Sequence, residues 1–103
     1  MMTVAILADP PEQNLGESIK LAQRLYKLGH EPLNLCLIHL HDQIVCRSAR
    51  KWEQSYEHLV VLCDAVIIFH GLESYSTLTA YCMEHNIPVF TGFEEFAQES
   101  LAP

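Results

Sequence analysis

The chain has 103 residues, half of them hydrophobic, with 6 Lys and Arg against 13 Asp and Glu, and a formal charge of −7. That length points to one domain spanning residues 1–103, and the apolar content is enough for a core without disulfide or metal staples. The acidity disfavours direct nucleic-acid binding, because a negative field opposes the phosphate backbone, and no apolar run approaches the roughly 20 residues of a membrane-spanning helix.

The amino-terminal stretch MMTVAILADPPEQ lacks a basic segment and turns polar at once, so it does not read as a signal peptide; the expectation is a cytoplasmic protein. Within it, Thr3 to Ala8 is a short continuous apolar run, as expected of a strand buried on both faces. Asp9, Pro10 and Pro11 stop that strand. A helix is predicted from near Asn14, with Asn14 as its cap and Glu17 at capping-box spacing. Leu15, Ile19, Ala22 and Tyr26, together with Leu21, Leu25 and Leu28, give it a wide apolar face. Gly29 suits the position just past its end.

A second strand is predicted around Pro32 to Ile38, followed by the long polar stretch HLHDQIVCRSAR. Trp52, Tyr56, Leu59 and Cys63 recur at helical spacing and predict a helix over Ala49 to Leu62. The clearest strand is Ala65 to Phe69, ending at Gly71. Ser74 or Ser76 is then expected to cap a helix reaching about His85, before a fourth strand from Ile87 to Phe90 and a short terminal helix over EEFAQES. Strands alternating with helices predict an α/β fold: a flavodoxin/Rossmann-like three-layer sandwich on a four- to five-stranded, mainly parallel sheet. The first and third strands are the most uniformly apolar, so they are expected to be adjacent in its centre.

In such folds ligands bind beyond the carboxyl ends of the strands, at the point where the chain reverses its direction across the sheet. The residues expected there are Asp9, Pro10, Asn14, Gly16, His70, Gly71, Glu73, Ser74 and Ser76. Helix starts near Asn14 and Ser76 would offer free N–H groups to an anion. Asp64 opens its strand at the opposite end and reads as a surface or capping residue. No cofactor motif is present, neither a Gly-rich phosphate loop nor a nucleophile triad. Cys36, His39, His41 and Cys46 are too loosely spaced for a zinc site, and no metal is expected.

In order and spacing, the segments ILADP (6–10), LYKLGHEPLN (25–34), CDAVIIFHGLESYS (63–76) and NIPVF (86–90) resemble the nucleoside 2-deoxyribosyltransferase-like family, including its small phage and bacterial members. The resemblance spans nearly the whole chain. It implies a parallel sheet flanked by helices, a nucleoside or nucleotide ligand, cleavage or transfer of an N-glycosidic bond, and assembly as a dimer or larger oligomer. The family uses a glutamate beneath the sugar, a second carboxylate, and a first-strand tyrosine that positions the glutamate. In this chain those positions fall on Leu78, Tyr56 (between Glu53 and Glu57) and Ile6. The segment after Gly71 is shortened and reads Glu73-Ser74-Tyr75-Ser76.

Leucine cannot attack an anomeric carbon, and tyrosine cannot replace a low-pKa carboxylate, so the paired-carboxylate chemistry is broken unless Glu73 substitutes. The reading that follows is a non-catalytic nucleotide- or nucleoside-binding domain that sequesters or senses its ligand or acts in counter-defence. The alternatives are an N-glycosidase or deoxyribosyltransferase using Glu73, and an acidic inhibitor that binds a basic protein partner. A homodimer is expected, with the Trp52 and Tyr56 helix as its interface.

Overall fold

The computed structural model describes residues 1–38 and 56–101. The run TVAILA forms β1 (Thr3–Ala8), with every residue after Thr3 buried. AVIIFH forms β3 (Ala65–His70). These two pair in parallel and occupy the centre of a four-stranded sheet of order β2-β1-β3-β4, as their uniform hydrophobicity predicts. The flanking strands are β2 (Glu31–Asn34) and β4 (Val89–Phe90), and all pairings are parallel.

Strand alternation divides the core into two layers. Val4, Ile6, Ala65 and Ile67 face one side and pack with Leu21, Leu25, Phe90 and Phe96. Ala5, Leu7, Val66 and Ile68 face the other and pack with Leu35, Tyr56, Val60, Leu78 and Cys82. The first layer lies under α1 (Leu15–Lys27) and α3 (Phe93–Leu101), the second under the helical turns at 56–60 and α2 (Ser76–Glu84). Helices therefore cover both faces, which makes this the three-layer α/β sandwich expected from the sequence. Among the described residues no helix is long and apolar enough to cross a membrane.

Several local expectations are corrected. The second strand stops at Asn34, and residues 35–38 are helical. The cause is the Asn34 side chain, whose Oδ1 accepts a hydrogen bond from the Cys36 N–H at 3.1 Å and turns the chain out of the sheet. Asn14 does not cap α1 through its side chain; its Nδ2 donates to the Pro10 carbonyl at 2.7 Å instead. Neither Ser74 nor Ser76 caps α2, because a 3-10 turn over Leu72–Tyr75 precedes it and Ser76 is already its first helical residue. The fourth strand is limited to Val89–Phe90. Of the helix expected over Ala49 to Leu62, residues 49–55 lie outside the described residues and 56–60 are helical.

Gly29 does end α1. At φ 87 it donates to Tyr26 O while His30 N–H donates to Leu25 O, the paired bonds of a left-handed helix end. Asn86 ends α2 in the same way at φ 58, with Asn86 N–H to Met83 O and Ile87 N–H to Cys82 O. The apolar face of α1 is only partly used. Leu21 and Leu25 are buried, but Ile19, Tyr26 and Leu28 are exposed.

Candidate functional site

The strand order 2-1-3-4 makes the chain leave β1 toward one edge of the sheet and β3 toward the other, so the reversal point lies between the carboxyl ends of β1 and β3. The loops that follow these strands are joined. Asp9 N–H donates to His70 O at 3.0 Å, and the His70 ring Nδ1 lies 2.8 Å from Asp9 O. A carbonyl only accepts, so Nδ1 carries the proton of this contact, and in that tautomer Nε2 is an acceptor. Ser74 Oγ donates to Asp9 Oδ2 at 2.7 Å. From beneath, the buried Tyr75 hydroxyl donates to Ala8 O at 2.9 Å.

Gly71 makes this junction possible. Its φ of 71° is left-handed, and a Cβ at this position would lie 2.6 Å from Asp9 O and 2.9 Å from Asp9 Cβ. Both the conformation and the close approach require glycine. The Asp9–Pro10 peptide is cis, and Asn14 Nδ2 holds Pro10 O from the start of α1.

Six of the nine residues singled out from the sequence thus meet in one place: Asp9, Pro10, Asn14, His70, Gly71 and Ser74. The other three do not join them. Gly16 is exposed on α1 with no atom near its missing Cβ. Ser76 is exposed and its carbonyl accepts from Thr79. Glu73 is exposed on the 3-10 turn, and its carboxylate makes no hydrogen bond among the described residues.

The positions that the resemblance marks for chemistry are all core. Ile6 and Tyr56 are fully buried and Leu78 is 2% exposed, and the Tyr56 hydroxyl donates to Leu35 O. A buried Tyr56 cannot present itself to a second subunit, which corrects its place in the expected interface; Trp52 lies outside the described residues. Asp64 is a tie at the far end of the sheet, accepting from Thr3 N–H at 2.8 Å while its own N–H donates to Thr3 O. Of the loosely spaced metal-like set, His39, His41 and Cys46 lie outside the described residues. Cys36 is buried, and burial pushes its thiol up to about 11 against the Ala8 backbone and Ser18 hydrogen bonds that lower it.

No family model, no curated protein and no solved structure matches this chain.

Two features escaped the sequence reading. Behind the junction, the fully buried Ser18 hydroxyl donates to Leu15 O and accepts from Asn34 Nδ2 at 3.0 Å, tying α1 to the end of β2. A serine inside an otherwise apolar helical stripe was its only sequence signal. The second is a cavity of about 220 Å³ on the α1 and α3 side of the sheet, lined by Glu17, Lys20, Leu21, Arg24, Phe69 and Phe93. Phe69 reaches it from a register break: Leu7 pairs with Ile68 and Ala8 with His70, so Phe69 is an extra residue on β3. A more open apolar groove of about 560 Å³ runs along the outer side of α1 past Ile19, Ala22, Tyr26, Pro32 and Leu37, and none of the nine residues lines it.

Proposed function

We propose that the protein is a non-catalytic binding domain that holds a nucleoside or nucleotide over the carboxyl ends of β1 and β3, on a scaffold similar to the nucleoside 2-deoxyribosyltransferases. The observation that supports this reading is a polar junction at the reversal point of the sheet together with no carboxylate at the three positions the resemblance marks for chemistry. Asp9, His70, Gly71 and Ser74 build a fixed polar junction at the reversal point of the sheet. Asp9 Oδ1 makes no hydrogen bond among the described residues, and in its Nδ1–H tautomer the His70 ring offers Nε2 as an acceptor. Both suit the hydroxyl and amine donors of a nucleoside.

Glycosidic cleavage, by contrast, needs a carboxylate close to the anomeric carbon to stabilise an oxocarbenium-like transition state. Ile6, Tyr56 and Leu78 supply no carboxylate and are sealed in the core. Glu73 stands on an exposed turn, and among the described residues no side chain fixes its carboxylate, whereas catalytic groups have to be held to about half an ångström.

The test is calorimetric titration with a panel of deoxynucleosides and their 5′-monophosphates, alongside chromatography for released base. Binding without free base is the expected result. Free base that disappears in Glu73→Ala would replace this reading with that of an active glycosidase. Absence of any binding across the panel would end it.

A further inference from the structure

We propose that the cavity between α1 and α3 is a subsite for the phosphate ester of a ligand, with Lys20 and Arg24 as its cations and Phe69 and Phe93 as its apolar walls. This rests on the binding reading above and adds to it a place and a chemical class: a phosphorylated ligand, in preference to the free nucleoside.

Charge placement is the first argument. The described residues include three basic side chains, Lys20, Arg24 and Lys27, all on α1 of a chain with a formal charge of −7. Two of the three line this one small cavity. Lys20 and Arg24 are one helical turn apart, a like-charge spacing that is unfavourable in an isolated helix. The only ion pair made by either among the described residues is Arg24 with Glu94, at 3.5 Å between exposed side chains. Such a pair contributes little. Lys20 has no ion-pair partner there, and Glu17 is the one carboxylate on the cavity lining.

Preorganisation is the second. The Arg24 guanidinium carbon lies 3.9 Å from the centre of the Phe93 ring, a cation–π contact that holds the group at the cavity wall, while its Nη2 donates a long 3.5 Å bond to Glu94 Oε1. Arginine presents a fork matched to phosphate oxygens, and lysine adds a point charge.

The third argument is position. Phe69 is the extra residue at the carboxyl end of β3, immediately before His70, so the cavity and the Asp9–His70 junction are neighbours at the same end of the sheet. A register break of this kind re-aims a side chain, and such breaks concentrate beside binding sites. At about 220 Å³ the cavity is smaller than the roughly 300–1,000 Å³ of a whole small-molecule site. It fits a fragment, with the rest of the ligand reaching the junction.

The experiment titrates thymidine, thymidine 5′-monophosphate and inorganic phosphate into the native protein, Lys20→Gln and Arg24→Lys, at low and high salt. Amide chemical shifts are followed in parallel. The monophosphate is expected to bind about tenfold tighter than thymidine, the gain of one charge-assisted contact. Lys20→Gln should remove most of that advantage while leaving thymidine affinity unchanged. Arg24→Lys should weaken it despite the conserved charge, because the planar fork is lost. Shifts should centre on Lys20, Arg24, Phe69 and Phe93, and phosphate alone should reproduce part of them. Equal affinity for thymidine and its monophosphate would overturn the subsite and leave the binding reading standing. So would an advantage that persists in both variants. Binding of neither compound, nor of any other deoxynucleoside or monophosphate of the panel, would overturn both.

Discussion

At the scale of single residues, glycine is decisive at one candidate position and dispensable at another. Gly71 sits at φ 71° with Asp9 O only 2.6 Å from where a Cβ would be, and the obstructing atom is backbone, which cannot swing aside. Gly71→Ala is therefore expected to lose at least about 2 kcal/mol of stability in urea unfolding, from left-handed strain plus the clash. Gly16→Ala, inside α1 with nothing near the new methyl, should instead be neutral or gain up to about 1 kcal/mol. An equal loss from both would show that the junction is not as tight as the geometry states. The sequence marked both glycines as candidates for one reason, their location after strands. It held no information on how close another loop would come, since Asp9 is 62 residues from Gly71 in the chain. The hydrogen-bonded pairing of Asp9 with Ser74 and His70 was hidden for the same reason, although the residues themselves were legible as loop residues at the productive end of the sheet.

At the scale of elements, the strands that are buried on both faces were the most legible. β1 coincides with its apolar run, and β3 exceeds the expectation by a single residue. Their hydrophobicity is a property of each residue and needs no knowledge of partners. Element ends were less legible wherever a side chain had a choice of partner. Asn14 could cap a helix or hold a carbonyl behind it, and it does the second. Asn34 could continue a strand or turn the chain, and it turns the chain while also donating to the buried Ser18. The double role makes Asn34 the linchpin of the β2 end. Asn34→Ala removes both bonds and strands the Cys36 N–H, and is expected to cost about 1–3 kcal/mol by urea unfolding. Asn34→Asp keeps an acceptor for Cys36 but offers Ser18 no donor, so it should fall between the two. Indistinguishable stability of Asn34→Ala and the native protein would mean that the turn is held by packing alone.

At the scale of the whole molecule, the sheet separates two apolar layers, and the one under α2 contains two thiols. Cys82 is fully buried and is pushed up to about 11, first by burial and then by the neighbouring Cys63. Cys63 is raised as well, by burial and by the charge of Asp64. Cys36, at the end of β2, is likewise pushed up to about 11 by burial. In each case the folded state favours the neutral thiol, so the folded value exceeds the ordinary value of 9.0. The stability this represents is fully present below that ordinary value, where the thiols are protonated whether or not the chain is folded. It is lost as the pH rises toward about 11, because the unfolded chain releases protons that the folded chain retains. Cys36 and Cys82 each contribute a slope of up to about 1.4 kcal/mol per pH unit within that window, and Cys63 acts in the same direction. Urea midpoints measured from neutral pH upward should hold steady and then fall above about pH 9, and the fall should be shallower in Cys82→Ala, whatever that variant loses at neutral pH through its small cavity. An unchanged alkaline slope in Cys82→Ala would remove Cys82 from the account of that loss.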